Sequence, residues 1–172
     1  MRILAVIGSL QRRSGNRALV ELAQALAAPP VEMVQAARLD ALPHYDADHD
    51  RDPAPPPVAA WRQALRTADG VLIASPEYGH GMPGTLKNAL DWIVGSGEFV
   101  DKPVAATCAA QAKGRGLLGL AALVQTLRAI DARVVASHPI VVPRAAIDAD
   151  GRITDAVVAH EVQLLLDRLA RG

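Results

Sequence analysis

Three glycine-containing stretches hold most of the residues able to grip a ligand. The first, Gly8 to Asn16, gathers Ser9, Arg12, Arg13, Ser14 and Asn16 in one run. Two guanidinium groups, two hydroxyls and an amide in a loop that opens a helix suit a phosphomonoester. Helix-start N–H groups supply part of such a cage and Arg or Ser side chains complete it. The same residues also describe a solvated loop with an ordinary helix cap, and spacing alone leaves both readings open. The second stretch, Ala74 to Trp92, places Pro76, Glu77, Tyr78, Gly79, His80, Gly81, Pro83 and Gly84 between the apolar run Val71-Leu72-Ile73 and a helical pattern at Leu86, Ala89, Leu90 and Ile93. Its Gly and Pro density forbids a regular element, so a helix is expected to open near Pro83 or Gly84 with Thr85 in reach of its amides. That helix start suits an anion or a polar ring edge. The third stretch, Cys108 to Gly116, is a second Gly- and Ala-containing loop.

Other chemistries find less support. Gly8-Ser9-Leu10 lacks the second and third glycines of G-x-G-x-x-G. Gly79 and Gly84 have the spacing of Walker A glycines, but Thr85 stands where the lysine must be, which disfavours phosphoryl transfer from a nucleoside triphosphate. His44, His49, His80, His138 and His160 show no metal-ligand spacing with carboxylates or Cys108, and no metal site is expected. Asp46, Asp48, Asp50 and Asp52 read as a solvated loop, and Lys87 and Asp91 as an i,i+4 helix pair. Cys108, at a strand end, reads as a small buried filler rather than a nucleophile. His80 sits in a ligand-facing loop, with solvent exposure as its plainer reading. No side-chain acid or base stands out as catalytic.

The positioning elements follow from periodicity. Ile3–Ile7, Val31–Val34, Val71–Ala74, Val104–Thr107 and Arg133–Ala136 predict five strands, the second a weak edge strand. Between them run helical stripes: Leu19, Leu22, Ala23, Leu26; then Val58, Trp61, Leu65, Ala68; then Leu117, Leu120, Val124, Leu127. A last helix is expected from about Thr154 to Leu169. Residues 138–151 read as irregular, with a short extended piece at Ile140–Val142. This alternation predicts an α/β fold, a five-stranded parallel sheet with helices on both faces. A 2-1-3-4-5 order brings loops 8–16, 75–83 and 108–116 together at the crevice where such sheets bind ligands. Residues 40–57 form a long polar loop of the kind that is functional or mobile. Too few residues precede it for an interdomain linker, so a single domain over 1–172 is expected.

Composition narrows the class. The chain has 172 residues, 51% hydrophobic but only 3% aromatic, so Ala, Val, Leu and Ile must build the core. Formal charge is zero, which removes the general electrostatic attraction to nucleic acid or anionic membranes. One cysteine fits a reducing compartment, and a cytoplasmic location is expected. Met1–Ile7 reads as a core strand rather than a leader, because its apolar run is short and Gly8-Ser9 and Arg12-Arg13 interrupt it.

Gly8-Ser9-Leu10 with Ser14-x-Asn16, together with Pro76-Glu77-Tyr78-x-x-x-x-Pro83-Gly84-x-Leu86-Lys87-Asn88-Ala89-x-Asp91-Trp92 and Leu42-Pro43-x-Tyr45-x-x-Asp48, resembles the NADPH-dependent FMN reductase family. The resemblance runs over nearly the whole chain. It implies a flavodoxin-like three-layer sandwich, FMN as cofactor and NADPH or NADH as donor. It further implies that Ser9, Ser14 and Asn16 hold the FMN phosphate, with Arg12 or Arg13 in place of an arginine the family has where this chain has Gln11. Pro76, Glu77 and Tyr78, with Gly79, His80 and Gly81, would run beside the flavin, and the loop from Cys108 through Gly114 would meet its pyrimidine edge. The family usually carries Asn and Ser where this chain has Gly79 and Gly81. Trp92 and Phe99 lie where relatives build a dimer interface, and internal packing is the other reading.

The expectation is therefore an FMN-dependent NAD(P)H oxidoreductase acting on free flavin, quinones or similar small acceptors, as a homodimer or homotetramer. A flavodoxin-like electron carrier and a flavin-free binding module are the alternatives. The carrier is disfavoured by the missing acidic excess.

Overall fold

A computed structural model describes residues 1–172. Its five strands, β1 (Arg2–Ile7), β2 (Glu32–Gln35), β3 (Gly70–Ala74), β4 (Pro103–Ala110) and β5 (Arg133–Val141), form one parallel sheet in the order β2-β1-β3-β4-β5. Register pairs Ile7 with Ala74 and Ala74 with Thr107, which brings the loops after β1, β3 and β4 out at one level. Helices α1 (Gly15–Leu26) and α5 (Ala156–Arg171) cover one face; α2 (Pro56–Arg66), α3 (Gly84–Asp91) and α4 (Leu117–Ala129) cover the other.

Strand alternation divides the core. Ile3, Leu72 and Ala105 point toward Leu19, Val162 and Leu165, while Leu4, Val6, Ile73 and Ala106 point toward Trp61, Leu86, Leu90 and Leu123. Trp92 and Phe99 are buried within the chain itself, so their role in this protomer is internal packing.

Several boundaries differ from the expectation. β4 runs on to Ala110, so Cys108 is a strand residue and the third loop begins after it. β5 runs through Pro139 to Val141 instead of stopping at Ala136. A proline interrupts a helical or central-strand pattern but is tolerated on an edge strand, where its missing N–H faces no partner. α1 is capped by Ser14, whose Oγ accepts from the Arg17 N–H at 3.1 Å, while Asn16 turns inward. Asp155 caps α5, accepting from Val157 and Val158. Thr85 caps nothing; α3 starts directly after Pro83.

The 40–57 segment is fastened down. Asn88 accepts from the Tyr45 N–H at 2.7 Å and donates to Pro43 O at 2.9 Å, and Trp92 Nε1 donates to the same carbonyl at 2.8 Å. Tyr45 meets the Trp92 ring edge-on, with centroids 5.1 Å apart. At the far end, the shielded Arg62–Asp50 pair closes at 2.7 Å, and Arg62 also donates to Trp92 O.

Candidate functional site

The loops after β1, β3 and β4 converge through close approaches at glycines. A Cβ on Gly8 would lie 3.0 Å from Ser75 Oγ, joining the first loop to the second. One on Gly15 would lie 2.8 Å from Ala109 Cβ, so α1 seats its first turn against the end of β4. Asn16, 4% exposed, reinforces that seat: its Oδ1 accepts from the Ala109 N–H at 2.9 Å. The asparagine is therefore a brace between the first turn of α1 and the end of β4, and its amide NH2 donates to no protein atom.

Glu77 does the same for the second loop and the start of α4. Its Oε2 accepts from the Gly119 N–H at 2.7 Å, in the first turn of α4, where a carboxylate complements the exposed amides. A Cβ on Gly119 would lie 2.8 Å from Glu77 Cβ and 2.9 Å from Gly81 O. Sequence reasoning passed over Gly119; its signal is a glycine inside an otherwise apolar helix, where only close approach of another chain segment offsets the lost helix propensity.

Tyr78 and Gly81 exchange main-chain hydrogen bonds at 2.9 Å in both directions, closing a two-residue turn. Gly79 (φ +54°) and His80 (φ +63°) both occupy the left-handed region that this turn requires. The turn lifts an exposed His80 and a 57% exposed Tyr78 to the rim, with Pro76 and Glu77 half-buried below them. Cys108 lies beneath Gly116, whose hypothetical Cβ would come 2.6 Å from Sγ and whose φ is +81°. Burial, aided by the nearby Glu77 charge, pushes the Cys108 thiol above its ordinary range, which disfavours the thiolate. Gly114 (φ +81°) forms the open outer bend of the third loop.

The first loop differs in how little of its polarity is committed. Ser9 Oγ accepts from the Gln11 N–H, and Ser9 itself is 4% exposed. The main-chain N–H groups of Ser9, Leu10, Arg12, Arg13 and Ser14 donate to no protein atom. Neither Arg12 nor Arg13 enters an ion pair or a side-chain hydrogen bond. Third-loop N–H groups at Gln111, Ala112, Lys113 and Gly114 are likewise without protein acceptors. Free N–H donors in both loops, with two unpaired guanidinium groups beside the first, have the chemistry to take an anion or the polar edge of a ring.

Sheet order and crevice define a flavodoxin-like α/β protein. The solved structure of a flavodoxin from Bacillus cereus, 12% identical, superposes with a TM-score of 0.60 over 100% of this chain and 99% of that one, a likeness of fold alone. The chain matches the model of the NADPH-dependent FMN reductase family over residues 1–146, and it belongs to that family. It is 32% identical to the NAD(P)H-dependent FMN reductase PA1204 of Pseudomonas aeruginosa, over 98% of this chain and 93% of that protein. It is 33% identical to a quinone reductase of Escherichia coli over 61% of this chain, spanning 55% of that relative. The flavoenzyme NAD(P)H:(acceptor) oxidoreductase FerB of Paracoccus denitrificans superposes with a TM-score of 0.83 at 28% identity, over 99% of this chain and 97% of that one. The protein is thus an oxidoreductase that uses FMN and a nicotinamide donor to reduce small molecules. No helix is long and apolar enough to cross a membrane.

Proposed function

We propose that the whole chain, residues 1–172, forms one flavin-binding unit in which Ser9, Arg12, Ser14 and Asn16 hold the FMN phosphate. The observation that carries this reading is the set of uncommitted N–H and guanidinium donors at the mouth of α1, which a phosphate dianion satisfies. Glu77 and Asn16 keep the three loops in register, each by one hydrogen bond to a main-chain N–H. Pro76, Tyr78, Gly79, His80 and Gly81 form the wall beside the ring, and the end of β4 at Cys108 with the free N–H groups of Gln111 to Gly114 meets the ring's polar edge. When bound, FMN supplies hydride transfer from the nicotinamide to a small acceptor. The residues' part is to bind, to orient and to leave one face open; the exposure of Tyr78 fits an open rim.

The acceptors we propose are quinones and free flavin, in line with the quinone reductase and FMN reductase names of the relatives. A cytoplasmic homodimer or homotetramer completes the reading. The single cysteine, buried and free, accords with a reducing compartment. Exposed Val94 and Val100, beside the buried Trp92 and Phe99, offer apolar surface to a second copy. Adding FMN to the purified chain and then NADPH without oxygen tests the reading. Bleaching of the visible flavin band, with its return on adding a quinone, is expected; an unchanged band contradicts it.

A further inference from the structure

Between Tyr78 and Gly81 the second loop carries an imidazole whose chemistry the flavin reading does not use. His80 is exposed and takes part in no hydrogen bond or ion pair; the histidines of this chain that pair with carboxylates are His49 and His138. Its perch is rigid. Two main-chain hydrogen bonds close the turn, Glu77 ties its base to the Gly119 N–H, and Gly81 O packs against the first turn of α4. Its φ of +63° is a left-handed conformation that Gly and Asn adopt more readily than histidine. Residues without side chains flank it. A Cβ on Gly79 would meet no atom within 4 Å, and one on Gly81 only Tyr78 O at 3.7 Å, which leaves room for a planar ring beside the imidazole.

The reaction class calls for a proton donor at this rim. A quinone becomes a hydroquinone by gaining two electrons and two protons, and a hydride carries both electrons but only one proton. When the hydride forms its bond to one carbonyl oxygen, the ring's π electrons shift and the opposite oxygen gains negative charge. A second O–H bond forms at that oxygen as a donor's bond to hydrogen breaks. Other ionisable groups of the crevice suit this poorly. The Glu77 carboxylate is committed to Gly119, and Cys108 is buried. Arginine and lysine side chains, as classes, hold their protons too tightly near neutrality, and a phenol such as that of Tyr78 holds its own more tightly than an imidazolium does. Imidazole changes charge between about pH 5 and 8, so it gives a proton to the acceptor and regains one from solvent.

We propose that His80 is a catalytic residue, the general acid that protonates the quinone oxygen opposite the one receiving the hydride. The proposal rests on the flavin reading, with the second loop beside the ring. FMN-loaded protein reduced with NADPH is mixed without oxygen with a benzoquinone or with ferricyanide, which takes electrons and no proton. Wild type, His80→Asn and Tyr78→Phe are compared; asparagine keeps the left-handed turn, so the variant retains the fold. In His80→Asn the ratio of quinone rate to ferricyanide rate is expected to fall at least about tenfold, general acids being worth roughly 10²–10⁴-fold. A second readout needs no turnover. In FMN-loaded protein labelled with 15N-histidine, added hydroquinone should shift the ring-nitrogen signals of His80, identified by their loss in His80→Asn, more than those of the other four histidines. An unchanged ratio, an equal fall for both acceptors, a fall in Tyr78→Phe instead, or unmoved His80 signals overturns the proposal and leaves the flavin reading intact. A wild type that takes up no FMN removes the reading beneath it.

Discussion

Two polar segments of similar promise in the sequence behave oppositely in the fold. Residues 40–57 carry acids, histidines and prolines, yet Asn88 and Trp92 hold their backbone at Pro43 and Tyr45, and Arg62 holds the Asp50 side chain. Residues 8–16 are shorter, yet the N–H groups of seven of them and the side chains of both their arginines have no protein partner. Polarity alone therefore does not mark a ligand site. What sets 8–16 apart is that its free N–H groups lie in one run at a helix start beside two unpaired arginines, whereas those of 40–57 are scattered along a mostly exposed loop.

The largest test of this contrast is Trp92→Ala, which removes a fully buried ring and the anchor on Pro43. A loss of about 3–5 kcal/mol in urea denaturation is expected, with FMN affinity of the folded fraction unchanged. Arg12→Gln should do the reverse. Its stability should stay within about 0.5 kcal/mol, because it has no protein partner to lose. Its FMN dissociation constant should rise about tenfold on losing a charge-assisted bond worth roughly 1.5–3 kcal/mol, while riboflavin binding is unaltered. Gly119→Ala tests the junction between loops. Crowding of Glu77 and Gly81 should cost about 1–3 kcal/mol, offset by about 1 kcal/mol of helix propensity, a net loss of up to about 2 kcal/mol in urea denaturation. Weaker FMN binding should accompany it as the second loop is displaced.

The smallest effect concerns Cys108. Burial raises its folded-state pKa above the unfolded thiol's, so its contribution to stability is complete below the unfolded pKa. That contribution is lost as pH rises toward the folded-state value. Melting temperature should fall on the alkaline side of pH 9 less steeply in Cys108→Ala than in the wild type.

Much of this arrangement was legible in the sequence. Apolar runs bounded by glycine-rich turns pointed to five parallel strands and to the three loops that meet, and the Ser, Arg and Asn types in the first loop pointed to an anion. What periodicity could not show was who partners whom. Asn16 and Glu77 were visible as polar residues in binding loops, but their links to Ala109 and Gly119 arise only when distant segments are brought together. Pro139 hid half of β5, because its tolerance depends on the strand lying at the sheet edge, which is a property of the whole sheet. The pinning of 40–57 was hidden for the same reason: its anchors, Asn88 and Trp92, sit on and at the end of another helix.

Comparing FMN with riboflavin in the same calorimetric titration tests the central claim most directly, since the two ligands differ only in the phosphate. Two or more charge-assisted bonds in the first loop predict FMN binding at least about a hundredfold tighter. Equal affinities would mean that the donors around Ser9, Arg12 and Ser14 hold no phosphate.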